Sequence, residues 1–306
     1  MPATQEVVKK RGNRLGFWIF GASLKLFGLS GAYGLLYFVS LYYLAFDKTA
    51  VSSCMAYTKR RFKGAGTFRQ ILFVYRILIN QGKNLIDRHA AIAGVCKFDV
   101  QIYGYDKIRA VLDDTRKGIV LVTAHVGNWQ IAMTALERFG RTVYLLMRPE
   151  DNDAVRRALK VDSGDSRIRI IAPEKFLDSV VEMMQAISEG NIVSIMGDRS
   201  YGNNIVEAVL LGEKVHLPYS AFMIAAAAQC PVVVLLSTKV SSKKYLVDIS
   251  NIIMPPAGPR GKKHERIKGC VQEFASILEA YACRSPFQWY VFSDLWNIKK
   301  NSAAEK

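Results

Sequence analysis

The sequence predicts an α/β fold, in which a single domain with a mostly parallel central sheet flanked by helices follows an N-terminal membrane-associated helix region. Three observations predict it. Strand-like and helix-like segments alternate after Lys97. The run Gly118 to Ala124 (GIVLVTA) is typical of a strand buried on both faces. Polar side chains follow the ends of apolar strands, where parallel α/β proteins bind their ligands.

Each element is predicted from its hydrophobic period and its flanking residues. An amphipathic helix is expected over residues 68–93. Strands are expected over residues 98–103, 118–124, 142–147, 167–171, 191–196, 232–237 and 245–249. Helices are expected over residues 106–116, 129–139, 153–161, 176–189, 220–229 and 265–284. Residues 209–219 predict a hairpin or a turn, and residues 255–263 an exposed loop.

Composition limits the class of protein. The 306 residues are 50% hydrophobic and 22% charged, which excludes a protein with many membrane spans. The net charge of +16 indicates an anionic partner: nucleic acid, an acidic membrane surface or an acidic carrier protein. The five cysteines have no paired spacing, which favours a reducing compartment. The four histidines have no pair at ligand spacing, so no catalytic metal is expected.

The segment Leu26 to Phe46 has no charged residue over 21 positions. As a helix it would be about 31 Å long, close to a hydrocarbon core of about 30 Å. Basic residues flank both of its ends, so the positive-inside rule gives no orientation. We therefore favour a helix that dips into the membrane or lies at its interface over one that spans it. A buried core helix is the alternative. Residues 1–66 are expected to form this membrane-associated region, and residues 67–306 the α/β domain.

His125 is the first candidate for chemistry. It follows the predicted strand 118–124, precedes a predicted helix, and lies two residues before Gly127, which permits close approach of backbone or ligand. An imidazole in this position is suited to act as a general base. The alternative is a packed histidine that is hydrogen-bonded for structural reasons.

A second polar cluster has the same design. Residues 191–202 (NIVSIMGDRSYG) form an apolar strand followed by a glycine and then by Asp198 and Arg199. Two such strand ends are expected to face one pocket. The Arg199 guanidinium is a two-pronged donor suited to a phosphate or a carboxylate. The alternative is an internal Asp–Arg pair that closes the strand, and His216 further on is expected to be structural.

The order of these blocks resembles the lysophospholipid acyltransferase superfamily, in its bacterial branch of lipid A late (lauroyl/myristoyl) acyltransferases. The resemblance covers nearly the whole chain and rests on short blocks in a fixed order: RGNRLGFW (11–18), HVGNW (125–129), MGDR (196–199), LG (211–212) with LP (217–218), PVV (231–233) and PFQW (286–289). It implies transfer of a fatty acyl group from a thioester, on acyl carrier protein (acyl-ACP) or acyl-CoA, to a hydroxyl of an anionic lipid or glycolipid. It also implies a place on the cytoplasmic side of the cell inner membrane and no cofactor.

The resemblance implies roles for individual residues. His125 is the expected general base, and backbone N–H groups near Gly127 are the expected donors to the oxyanion. Asn128 is a candidate for the same substrate-binding site, and its alternative role, which we favour, is to cap the following helix. Arg199 matches an anion-binding arginine of the superfamily, and Arg148, at another strand end, has a similar expected role.

The chain departs from the family pattern at Gln130, where the family has an acid five positions after the histidine. A neutral amide can orient an imidazole but does not stabilise the imidazolium by charge. Either Asp198 or Glu137 replaces the acid, or catalysis is weak or lost and the protein is a lipid-binding or assembly relative.

Other functional classes of protein explain fewer of these sequence features. A serine hydrolase would need a Gly-x-Ser-x-Gly elbow, which the sequence lacks, and residues 63–66 (KGAG) lack the spacing of a nucleotide-binding loop. A nucleic-acid binder fits the charge, but it would not explain the apolar segment or the polar groups at strand ends. The expected partners are therefore the acyl donor, the lipid acceptor and the membrane.

Overall fold

The structure is a computed structural model that describes residues 14–115, 117–147, 167–172, 176–199, 204–255 and 263–296. These residues form two compact units: one up to Lys97 together with Pro286 onward, and one from Phe98 to Ser285. The helices are α1 (Arg14–Phe46), α2 (Lys48–Arg61), α3 (Thr67–Ile92), α4 (Tyr105–Thr115), α5 (Trp129–Ala135), α6 (Phe176–Ser188), α7 (Ser220–Ala228) and α8 (Lys263–Arg284). The strands are β1 (Asp99–Tyr103), β2 (Ile119–Thr123), β3 (Val143–Leu146), β4 (Ile168–Ile171), β5 (Ile192–Met196), β6 (Ile205–Leu210), β7 (Glu213–Pro218), β8 (Val232–Lys239) and β9 (Lys244–Ile253).

The first unit is helical, and α1 is its most apolar element. Its stretch Trp18–Phe46 has the length and hydropathy of a membrane span. About half of its large apolar side chains are exposed, including Leu26 and Phe38 at about three-quarters of their surface. A helix in a protein core would bury such side chains, so their exposure suggests association with a membrane. The helix is interrupted at Gly28, which has φ 65° and ψ −162°.

The C-terminal segment of the described chain belongs to this helical unit. Trp289 is fully buried and meets the ring of Tyr57 edge to face at 5.1 Å. The Tyr57 hydroxyl donates to the Pro286 carbonyl at 2.9 Å, and the Asn80 amide donates to the Phe287 carbonyl at 3.1 Å. The block 286–289, part of the family resemblance, is therefore a packing element of the helical unit.

The second unit contains a seven-stranded sheet in the order β1-β9-β8-β2-β5-β3-β4. Neighbouring strands are parallel except for the antiparallel pair of β8 and β9. Every residue of β2 is buried, as the run of aliphatic residues predicts for a central parallel strand. The predicted fold class is confirmed: a mostly parallel sheet flanked by helices, together with an N-terminal apolar helix.

A two-stranded antiparallel hairpin, β6 and β7, stands apart from the main sheet. Leu211 and Gly212 at its tip both have positive φ, as a two-residue type I′ turn requires. Side chains of α8 hold the hairpin: the Gln272 amide exchanges two hydrogen bonds with the Val209 backbone, and Glu279 accepts from the Leu211 N–H at 2.6 Å.

The strands and the hairpin expected from the sequence are present in the structure, and their ends lie within a few residues of the predicted bounds. The helix expected over 129–139 ends at Ala135 and continues as a 3₁₀ turn over Leu136–Phe139. The helix expected over 153–161 lies outside the described residues.

Candidate active site

Strand register brings the two predicted polar clusters together. β2 and β5 are parallel neighbours, and Thr123 at the end of β2 pairs with Met196 at the end of β5. The Gly197 N–H continues the ladder by donating to the Thr123 carbonyl at 2.8 Å. His125 and Asp198, each two residues beyond this last pair, therefore emerge side by side at the carboxyl edge of the sheet.

His125 and Asp198 are joined by two hydrogen bonds. Nδ1 of His125 lies 2.8 Å from Oδ1 of Asp198, and the His125 backbone N–H donates to Oδ2 at 2.8 Å. One carboxylate thus fixes both the ring and the backbone of the same histidine. The partner of the imidazole Nδ1 is therefore Asp198.

The carboxyl of Asp198 is ionised at neutral pH. Burial alone would raise its pKa, because Asp198 is 4% exposed. The facing His125, through its charge and its hydrogen bonds, and the nearby Arg199 outweigh burial and lower the pKa of Asp198 to about 2. A charged acceptor therefore stands behind the imidazole.

This charge decides which nitrogen of the neutral imidazole carries the proton. An ionised carboxylate only accepts hydrogen bonds, so Nδ1 of His125 donates to Asp198. Nε2 then keeps its lone pair. The His125 side chain is 23% exposed, in contrast to the buried Asp198, so the ring is not sealed off from solvent. Such a histidine can accept a proton from a bound hydroxyl.

A tight turn holds His125 in place. The Val126 N–H donates to the Ala124 carbonyl at 2.7 Å, the hydrogen bond of a γ-turn centred on His125. Gly127 follows with φ +50°, and a Cβ on it would lie 2.0 Å from the Ser237 carbonyl oxygen of β8. Only glycine satisfies both the positive φ and this close approach.

The position of Asp198 is also restricted, in this case by the packing of the residue that precedes it. The preceding Gly197 lies against Val122 of β2 and Phe274 of α8, and a Cβ there would come within 2.5 Å of the Val122 side chain. The chain can therefore turn out of β5 at this point only without a side chain. This packing directs the following Asp198 toward His125.

The remaining residues singled out in the sequence have different places. The Asn128 side chain accepts from the Ile131 N–H at 3.2 Å and caps α5, as expected. Gln130 is buried in the first turn of α5. Glu137 lies in the exposed part of the 3₁₀ turn that follows.

Two arginines were expected to bind anions. Arg199 follows Asp198 directly, is partly exposed, and contributes its positive charge to the field at that carboxyl. Arg148 lies outside the described residues. Among the residues that the structure describes, no group of three or more His, Cys, Asp or Glu side chains is arranged to hold a metal ion.

Sequence reasoning missed the support that β8 and α8 give to the site. The Ser237 carbonyl, which Gly127 approaches, accepts a hydrogen bond from the buried Tyr281 hydroxyl at 2.8 Å. Burial raises the pKa of the Tyr281 phenol, so it stays a donor. Tyr281 is 44 residues from Ser237 and lies in no recognisable motif, so no local signal pointed to it.

Fold and site together define a class: an α/β protein with a histidine–carboxylate pair at the carboxyl edge of a parallel sheet. The chain belongs to the bacterial lipid A biosynthesis acyltransferase family, whose profile matches residues 80–298. No curated protein matches the sequence. The resemblance seen in the sequence is thus confirmed at the level of the family. Membership makes the protein an acyltransferase that acts on lipid, with an acyl donor and a lipid acceptor.

Proposed function

We propose that the protein transfers a fatty acyl group from a thioester to a hydroxyl of a lipid A precursor or related glycolipid, with His125 as the general base. The observation that carries this proposal is the pairing of His125 with the ionised Asp198 at the carboxyl edge of the sheet. The family supports the class of reaction, and the pair supplies the base that this reaction needs.

The reaction follows from the chemistry of the pair. Nε2 of His125 removes the proton from the acceptor hydroxyl as its oxygen attacks the thioester carbonyl carbon. The tetrahedral intermediate collapses, the C–S bond breaks, and the thiolate takes the proton back from the imidazolium. The products are an ester and a free thiol, and His125 returns to its neutral state.

Asp198 acts through His125. Its carboxylate fixes the tautomer, directs the ring and stabilises the imidazolium that forms during the reaction. This role is the one that the family pattern gives to an acid at the position of Gln130. We propose that Asp198, which follows the neighbouring strand β5, replaces that acid.

The acceptor and the donor are assigned by charge. Arg199 follows Asp198, and we propose that its guanidinium holds a phosphate of the acceptor lipid, with Arg148 in a similar role. The donor is acyl-ACP or acyl-CoA, both of which are anionic, and the chain carries a net charge of +16. Within the family we place the protein in the late (lauroyl/myristoyl) branch, on the cytoplasmic side of the inner membrane.

The second candidate function is a catalytically weak or inactive lipid-binding or assembly protein. Gln130 is the observation that favours it, because the family acid is missing there. The charged partner that the substitution removes is supplied by Asp198, so the enzyme is the better-supported function.

A reconstituted assay tests the proposal. Purified protein in mixed micelles is given acyl-ACP or acyl-CoA and a lipid A precursor, and mass spectrometry follows the acylated product. The wild type should form an ester with at least one donor, and His125→Ala should lower the rate by about 10²-fold or more. His216→Ala, on the separate hairpin, is the matched control and should keep full activity.

Product formation by His125→Ala at the rate of the wild type would overturn the role of the histidine. Absence of product from the wild type with both donors, while lipid binding persists, would favour the lipid-binding alternative.

A further inference from the structure

The turn between α2 and α3 lines an open surface pocket that the acyl-transfer chemistry does not use. Residues 61–65, Arg69 and Phe73 line it, and its volume is about 430 Å³. We call it the basic pocket. This volume falls within the range of ligand pockets, about 300–1,000 Å³. The pocket belongs wholly to the helical unit, whereas His125 and Asp198 belong to the other unit.

The residues that form the basic pocket pack against each other and are joined by hydrogen bonds. The rings of Phe62 and Phe73 lie 4.2 Å apart, and Phe287 stacks on Phe62 at 5.6 Å. The buried Gln70 amide donates to the Phe62 carbonyl at 3.1 Å, and the Ala65 N–H donates to the same oxygen at 3.2 Å. The turn thus has a hydrogen-bonded shape of its own.

The charge of the pocket and of the surrounding chain is of one sign. Arg61, Lys63 and Arg69 contribute three positive side chains to the lining. Between Asp47 and Asp87 the sequence has eight Lys or Arg residues and no Asp or Glu. The residues that line the pocket include no Asp or Glu, so an anion is the complementary ligand.

The surroundings of the pocket indicate where the anion comes from. The first two turns of α3 expose Phe68 at 73%, together with Ile71 and Leu72. The same unit carries α1 with its exposed apolar side chains. Exposed apolar side chains beside a basic cluster are the features of a surface that sits at the lipid interface.

We propose that the basic pocket binds the phosphate of an anionic phospholipid headgroup while Phe68 and its apolar neighbours enter the interface. The ligand is a lipid of the surrounding membrane and not the acyl acceptor, so the proposal is independent of the function proposed above. Binding of the headgroup in the basic pocket orients the helical unit on an anionic membrane surface.

Flotation of the full chain with vesicles tests this site. The wild type should bind vesicles of phosphatidylcholine mixed with phosphatidylglycerol more tightly than vesicles of phosphatidylcholine alone. The double variant Lys63→Gln/Arg69→Gln should weaken binding to the anionic vesicles by about 30-fold, since each basic residue at an anionic surface contributes about fivefold. Binding to neutral vesicles should stay unchanged because α1 is intact.

The matched control is Lys48→Gln/Lys59→Gln, which removes the same charge from exposed positions of α2 outside the pocket. It should lose several-fold less than the pocket variant. Lys63→Arg/Arg69→Lys keeps both charges and should retain the anionic preference. Equal losses in the pocket and control variants would assign the effect to diffuse charge and overturn the site, as would full retention by the pocket variant.

Amine labelling distinguishes a lipid phosphate from a free ion. Anionic vesicles should protect the exposed Lys63 amine from an acylating reagent, and neutral vesicles should not. Protection of Lys63 by inorganic phosphate without protection by anionic vesicles would mean that the pocket binds a free anion and would overturn the lipid assignment. An unchanged melting temperature of each variant shows that the fold is kept.

Discussion

The two oxygens of Asp198 bind two different groups of one residue, the ring Nδ1 and the backbone N–H of His125, each at 2.8 Å. This arrangement restricts rotation of the ring and position of the backbone at the same time. Because both bonds cross from β5 to β2, the geometry depends on the pairing of Thr123 with Met196.

His125→Ala should remove the base and leave the fold. The ring is partly exposed, so its loss should change the melting temperature little, while kcat falls by about 10²-fold or more. Steady-state rates measure the change in kcat, and thermal unfolding in the same detergent measures the change in melting temperature. A large loss of stability with substantial residual activity would instead identify a histidine that packs for structural reasons.

Gly127→Ala should both destabilise the protein and displace His125. The new Cβ would have φ +50° and would meet the Ser237 carbonyl oxygen at 2.0 Å, so we expect a loss of at least about 1–3 kcal/mol in unfolding free energy, with a fall in kcat. Gly269→Ala in α8 is the control, since nothing lies within 4 Å of its Cβ. Equal effects of the two substitutions would contradict the close approach at Gly127.

Arg199→Lys should raise the KM for the lipid acceptor and leave the KM for the acyl donor unchanged. Lysine keeps the charge but loses the two-pronged geometry that a guanidinium offers to a phosphate. Initial rates at varied acceptor and at varied donor separate the two constants. A variant with both constants unchanged would return Arg199 to a structural role beside Asp198.

The lowered pKa of Asp198 predicts a stability that depends on pH. A carboxyl whose pKa is lower in the folded state stabilises the protein above its unfolded pKa, near 4, and loses this contribution as pH falls toward about 2. The wild type should therefore lose more stability than Asp198→Asn between pH 4 and pH 2, by about 2 kcal/mol. Asp113→Asn, at an exposed position, should follow the wild type. Parallel curves for the wild type and Asp198→Asn would contradict the charged pair.

Local sequence patterns predicted much of the fold. The seven strands of the main sheet follow from apolar runs such as 118–124, and the hairpin from the residues around Leu211 and Gly212. The order of the strands does not follow from such patterns, because pairing of β1 with β9 joins residues more than 140 positions apart. The break of α1 at Gly28 was also not predicted, since an uncharged run does not show where a helix bends.

The sequence predicted the candidate residues of the site, but the packing of the strands determines which of them lies beside the imidazole. His125 and Asp198 were both candidates because each follows an apolar strand, yet Gln130, Asp198 and Glu137 all competed for the place beside the imidazole. The register of β2 and β5 gives that place to Asp198. A family pattern counted along one helix could not reveal an acid that arrives from a neighbouring strand.

The most direct measurement compares Asp198→Asn with Gln130→Glu in the acyl-transfer assay over a range of pH. Asp198→Asn keeps the shape but removes the charge behind His125, so we predict a fall in kcat of about 10²-fold or more. Gln130→Glu should leave the rate and the pH profile close to those of the wild type, because Nδ1 of the imidazole already has a charged acceptor in Asp198. Full activity of Asp198→Asn, with an increase in rate and a shifted acidic limb for Gln130→Glu, would contradict the pairing of His125 with Asp198 as the basis of catalysis.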